Sequence, residues 1–113
     1  MSYFEWKNSS RFLNKEWKDE KGRYHREDGP AFIIYDPCGN IYYEGFRLHG
    51  YQHRKFGPAE IHYNPDGSIY YECFYLEGVC LGREKIGFWA LWERLTEVER
   101  NSPSILKYLA RYS

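Results

Sequence analysis

Between residues 31 and 73 apolar and polar positions alternate in two closely similar blocks, each broken by a turn that contains proline and glycine. In Tyr63-Asn64-Pro65-Asp66-Gly67-Ser68-Ile69, proline sits at the second turn position, where its ring sets φ near about −65°, and Gly67 suits a left-handed residue. The segment predicts a β-hairpin with a three-residue loop, and Tyr35-Asp36-Pro37-Cys38-Gly39-Asn40-Ile41 repeats the chemistry. With Asn64 paired to Ser68, a regular ladder sets Tyr63 against Ile69, Ile61 against Tyr71, Glu60 against Glu72 and Ala59 against Cys73. Alternation then gives one face of Ala59, Ile61, Tyr63, Ile69, Tyr71 and Cys73, matched in the first block by Ala31, Ile33, Tyr35, Ile41, Tyr43 and Gly45. This face is predicted as the core. The opposite face carries Phe32, Ile34, Tyr42, Glu44 and Phe46, then Glu60, His62, Tyr70, Glu72 and Phe74, a mixture that suits partial exposure.

The flanks read differently. Residues 11–18 predict a first strand with Trp17 at the position of Gly45, and Tyr3 to Lys7 predict an edge strand. After Gly82 the period becomes helical, with Phe88, Leu91, Trp92 and Leu95 on one stripe. The chain breaks at Asn101-Ser102-Pro103, where Ser102 can cap and Pro103 can take the first helical position, and Ile105, Leu106 and Leu109 form a second stripe. Two short helices are therefore expected to cover the open end or one face of the sheet. The whole reads as mainly β with C-terminal helices (α+β), a single domain over 1–113: N-terminal strands in 1–18, hairpin repeats in 16–82 and a helical cap in 83–113.

The repeat has a period of 28, since residues 16–43 superpose on 44–71 with identity at 14 positions. His25-Arg26 recurs as His53-Arg54, Gly29-Pro30-Ala31 as Gly57-Pro58-Ala59, and Ile41-Tyr42-Tyr43 as Ile69-Tyr70-Tyr71. A third copy begins at Glu72, Leu76 and Gly78 and loses the pattern after Cys80. Recurrence along an array is what a shared structural task produces. The histidines are therefore expected to pack or bond to backbone in the inter-hairpin loops, with each arginine pairing an acid such as Glu44 or Glu72.

Tyr43-Glu44-Gly45 followed by Gly50, and Tyr71-Glu72 after Asp66-Gly67, resemble the spacing and aromatic hairpin of MORN repeats. The His25-Arg26-Glu27-Asp28-Gly29-Pro30-Ala31 segment resembles the longer H-R-x-D-G-P-A variant of small bacterial, phage and large-DNA-virus proteins. The resemblance spans 16 to about 82 and implies an antiparallel meander of MORN-like hairpins. It further implies an interaction scaffold, a small protein that binds and inhibits a host or partner protein in the cytoplasm, the host's if the chain is phage or virus encoded.

Charge narrows the partner. Sixteen basic side chains balance sixteen acidic ones, and the array over 29–82 holds three basic against six acidic, the wrong sign for tracking phosphates. Another protein is the expected partner, with self-pairing through a sheet edge as a second mode; nucleic acid is disfavoured, and no apolar run reaches the roughly 18 residues a membrane span needs. The three cysteines, Cys38, Cys73 and Cys80, are odd in number and follow no signal-peptide pattern, which suits a reduced compartment. No metal-ligand spacing, glycine-rich phosphate loop or nucleophile elbow appears, so neither a metal, a cofactor nor an enzyme is expected. The expected partner-binding residues are Tyr42, Phe46, Tyr70 and Phe74. A rival reading, a small-ligand or nucleotide binder or weak hydrolase, would use Glu60, His62 and Glu72 beside Tyr70.

Overall fold

The β-branched and aromatic runs between the turns form strands, and the computed structural model describes residues 2–113. A seven-stranded antiparallel sheet holds β1 (Ser2–Lys7), β2 (Leu13–Lys18), β3 (Phe32–Tyr35), β4 (Ile41–Gly45), β7 (Glu60–Tyr63), β8 (Ile69–Leu76) and β9 (Val79–Arg83), in that spatial order. The short hairpin of β5 (Arg47–Leu48) and β6 (Tyr51–Gln52) lies outside it. Three helices follow: α1 (Glu84–Trp92), α2 (Glu97–Arg100) and α3 (Pro103–Tyr112). The expected edge strand is present as β1, all six residues exposed.

The hairpin turns form as their chemistry requires. Gly39 and Gly67 both have φ of 89°, a region that side chains with a Cβ adopt at a cost. Asn64 N–H donates to Ser68 O at 2.8 Å and Tyr63 pairs with Ile69. One residue further the ladder breaks. Tyr70 is an extra residue on β8, so His62 pairs with Tyr71, Ile61 with Glu72 and Glu60 with Cys73. Tyr42 does the same in the first hairpin, where Ile34 pairs with Tyr43, Ile33 with Glu44 and Phe32 with Gly45.

These bulges overturn the regular register. A one-residue insertion exchanges the sides of every residue beyond it. Tyr71, Cys73, Tyr43 and Gly45 therefore leave the face of Ile33 and Ile61, and Glu44, Phe46, Glu72 and Phe74 join it. Glu60 and Glu72 are not opposite each other. The bulge in β4 also shifts the first strand's equivalence, so Trp17, whose N–H donates to Ala31 O, matches Phe46, whose N–H donates to Ala59 O, rather than Gly45.

Ala31, Ile33, Ala59 and Ile61 are buried, as their alternation predicts, and Phe74 carries that layer into the helices. Phe74 is 0% exposed and meets Phe88, Tyr108 and Tyr112 at ring distances of 6.2 to 6.5 Å. Leu91, Leu95 and Ile105 complete the cluster, with Trp89 and Trp92 partly buried against it. α1 can lie this close to the sheet because residue 87 is glycine; a Cβ there would fall 2.0 Å from Gly82 O and 2.7 Å from Phe74 Cδ1.

The cap has three helices where two apolar stripes were expected. The extra turn, α2, starts at a capping box in which Thr96 Oγ1 accepts from Glu99 N–H and Glu99 Oε1 accepts from Thr96 N–H. Ser102 caps α3 by accepting from Ile105 N–H, with Pro103 at the first position. Its buried stripe is Ile105 and Tyr108, while Leu106 faces solvent.

Glu72 is the anomaly of this core. It is 0% exposed, both carboxylate oxygens lack a hydrogen-bond donor among the described residues, and Arg111 Nε lies 3.7 Å from Oε1. Burial pushes its carboxyl above the ordinary value, and Arg111 opposes this only in part. The folded state thus binds this proton more tightly than the unfolded chain. Its stabilising contribution is present in acid and is lost as pH rises through the raised value.

Two expectations follow. Phe74→Ala should cost about 3 to 5 kcal/mol in urea unfolding whereas Tyr70→Ala should cost less than about 1, because only the first empties a core site; equal costs would refute the assigned sides. Glu72→Gln should match the parent melting temperature near about pH 4 and exceed it near about pH 8. A variant less stable than the parent at the higher pH would show that the Arg111 contact outweighs the cost of burial.

Candidate interaction face

Because of the bulges, Phe32, Tyr43, His62 and Tyr71 stand on one side of four adjacent strands. Their rings meet largely edge to face across the sheet, with centroids 6.0 Å apart for Phe32 and Tyr43, 4.8 Å for Tyr43 and His62, and 5.2 Å for His62 and Tyr71. Positive ring edges against negative ring faces make this a favoured packing. Tyr24, beyond β2, extends the row at 5.3 Å from Phe32.

Cations close both ends. The Arg83 guanidinium lies 4.4 Å from the Tyr71 ring, and Lys18 and Arg47 lie 5.4 and 5.9 Å from the Tyr24 ring. Glu60 sits beside the row, its Oε1 3.5 Å from His62 Nε2. Burial, with help from Glu60, holds the Tyr43 phenol above its ordinary value, and burial does the same for Tyr71. Both remain neutral hydroxyls at physiological pH. The helices meet the sheet through Phe74 and Gly82 on the other side, so this row is half-buried only by its own neighbours.

The paired His-Arg motifs lie in the loops between hairpins. His25 Nδ1 accepts from His49 N–H at 2.9 Å, and 28 residues on His53 Nδ1 accepts from Glu77 N–H at 2.9 Å. His49 and Glu77 each open a two-residue turn, with φ of 47° and 48° followed by glycines at 85° and 82°. Each histidine therefore ties one inter-hairpin loop to the next turn. The arginines do not pair with Glu44 or Glu72. Arg26 stacks 4.0 Å over Trp17 and donates to Asp28 and Pro30 O; Arg54 stacks 4.0 Å over Phe46 and donates to Pro58 O. Glu44 instead accepts from the Tyr63 hydroxyl at 2.5 Å.

The residues expected to bind separate into three groups. Tyr42 and Tyr70 are the bulge residues and stand 49% and 72% exposed, with the Tyr42 ring 5.2 Å from Phe12. Phe46 is half-buried beneath Arg54. Phe74 is core and cannot contact a partner, since the bulge turned it toward the helices. The rival set is likewise split: Glu60 and His62 share the aromatic face, whereas Glu72 lies buried on the opposite one. Among the described residues no group of three or more His, Cys, Asp or Glu side chains could hold a metal ion.

Phe32, Tyr43, Tyr71 and Arg83 were missed as a set. The signal was the tyrosine doublet Tyr42-Tyr43, repeated as Tyr70-Tyr71, in which the first residue bulges and the second faces outward. No family model, curated protein or solved structure matches the chain.

The His-Arg geometry has a direct check. In His53→Ala the Glu77 amide loses its acceptor, so its hydrogen exchange should quicken and stability should fall by about 1 kcal/mol. Unchanged protection of Glu77 would remove the structural role given to the histidine.

Proposed function

We propose that the chain is a non-enzymatic protein-binding module, a MORN-like hairpin array that uses the helix-free side of its sheet. The observation that carries this reading is the row of Tyr24, Phe32, Tyr43, His62 and Tyr71, ended by cations and left without a helix over it. Rigid aromatic groups with polar tips give contact area at low entropic cost, and buried aromatic anchors dominate binding energy at interfaces. The balanced charge supports a protein over a nucleic acid. The H-R-x-D-G-P-A resemblance adds that such arrays serve as scaffolds or inhibitors. Among the described residues no helix is long and apolar enough to cross a membrane.

A ligand-binding or hydrolytic reading finds less support, because removal of Glu72 to the core leaves Glu60 and His62 without the second carboxylate that reading needed.

The test isolates a partner by affinity capture and then measures its affinity for purified variants alongside their melting temperatures. Tyr71→Ala or Tyr43→Ala should weaken binding by about 1 to 3 kcal/mol, roughly 5- to 150-fold, with the fold retained. Glu60→Gln should matter less. Undiminished affinity in both tyrosine variants, or a larger loss with Glu60→Gln, would overturn the choice of face.

A further inference from the structure

The last two strands bring a pair of thiols together. Cys73 pairs with Arg83 and Phe74 with Gly82, and a regular continuation would set Cys80 against Leu76, on the helix side. The register shifts instead between Phe74 and Tyr75. Leu81 becomes an extra residue on β9, and Cys80 pairs with Tyr75. This third bulge moves Cys80 to the side that Cys73 occupies, as its diagonal neighbour, with their sulfurs 3.8 Å apart.

The two thiols differ in access. Cys73 is 2% exposed and its Sγ donates to Gly82 O at 3.4 Å, while Cys80 is exposed. Both are free, and the remaining thiol, Cys38, lies exposed in the first hairpin turn. We infer that Cys73 and Cys80 form a reversible disulfide site, in which Cys80 is the attacking thiol and Cys73 the resolving one, with a low-molecular-weight disulfide such as oxidised glutathione as the oxidant.

The chemistry balances in two exchanges. The Cys80 thiolate attacks one sulfur of oxidised glutathione, a protein–glutathione bond forms, and the first glutathione leaves as thiolate and takes up the proton that Cys80 released. The Cys73 thiolate then attacks Cys80 Sγ, expels the second glutathione, and its proton ends on that leaving thiol. The protein pair loses two electrons and the small disulfide gains them as two thiols. The gap of 3.8 Å must close to a bond of about 2.05 Å, which calls for the two side chains to turn toward each other. Burial pushes the Cys73 thiol up, and with Cys80 exposed the first exchange falls to Cys80. The bond would staple β9 to β8 just before α1 begins, at the Arg83 end of the aromatic row.

The test uses the full chain carrying Cys38→Ser, so that only the pair can react. After incubation with oxidised glutathione, thiols are counted under denaturing conditions and the intact mass is measured. Two thiols should be lost with a mass decrease of about 2 Da, in a monomer, and dithiothreitol should restore both. With Cys73→Ser added, the reaction should stop at a stable glutathione adduct on Cys80; with Cys80→Ser added instead, the remaining thiol should react far more slowly. A stable adduct in the Cys38→Ser chain, a linked dimer, or survival of both thiols while the protein melts normally would overturn the proposal.

Discussion

One extra residue per hairpin governs this molecule. A strand has only two sides, so inserting Tyr42 or Tyr70 into the ladder decides for all later residues whether they meet the helices or the solvent. Downstream of Tyr70 the choice is consequential: Phe74 goes inward and becomes the centre of the core, and Tyr71 goes outward and joins the aromatic row. The same shift carries Glu72 inward, where it stays ion-paired at a distance with Arg111 and without a hydrogen bond. A core aromatic and an outward-facing aromatic row are gained together with a poorly solvated carboxylate.

The two sides of the sheet then take different tasks. One side buries Ala31, Ile33, Ala59 and Ile61, and its Phe74 packs into the cluster formed by α1 and α3. The other holds ring against ring without a covering layer, and cations at each end keep it from presenting a bare apolar patch. Between hairpins, the histidine-to-turn hydrogen bonds recur at the repeat period, so each unit's loop is fixed by the next unit's turn. This accounts for the identity of His-Arg between the copies, as the recurring bulge accounts for that of Tyr42-Tyr43 and Tyr70-Tyr71.

Much of this was legible in the chain. Pro65 and Gly67 define their turn through backbone preference alone, Ser102 and Pro103 define a helix start, and Ala59 and Ile61 are buried as alternation requires. The sidedness beyond the bulge was not. Ile69-Tyr70-Tyr71 is apolar or amphipathic at every position, so hydropathy does not distinguish a regular strand from one with a residue inserted. Glu72 even argued for the wrong side, because a carboxylate is normally placed in water. Phe74 therefore passed for a binding residue, and Tyr71 for a core one. α2 escaped because its capping box, Thr96 with Glu99, precedes too short an apolar stretch to show a helical period.

The sides of Tyr71 and Phe74 can be observed without perturbing either residue, through aromatic NOE contacts in the folded protein. Cross-peaks should link the Tyr71 ring to His62 and the Phe74 ring to Phe88 and Tyr108. Contacts from Tyr71 to Phe88 or Ile105, with Phe74 close only to solvent-facing strand residues, would mean that β8 runs without a bulge and would remove the basis for both the core and the proposed interaction face.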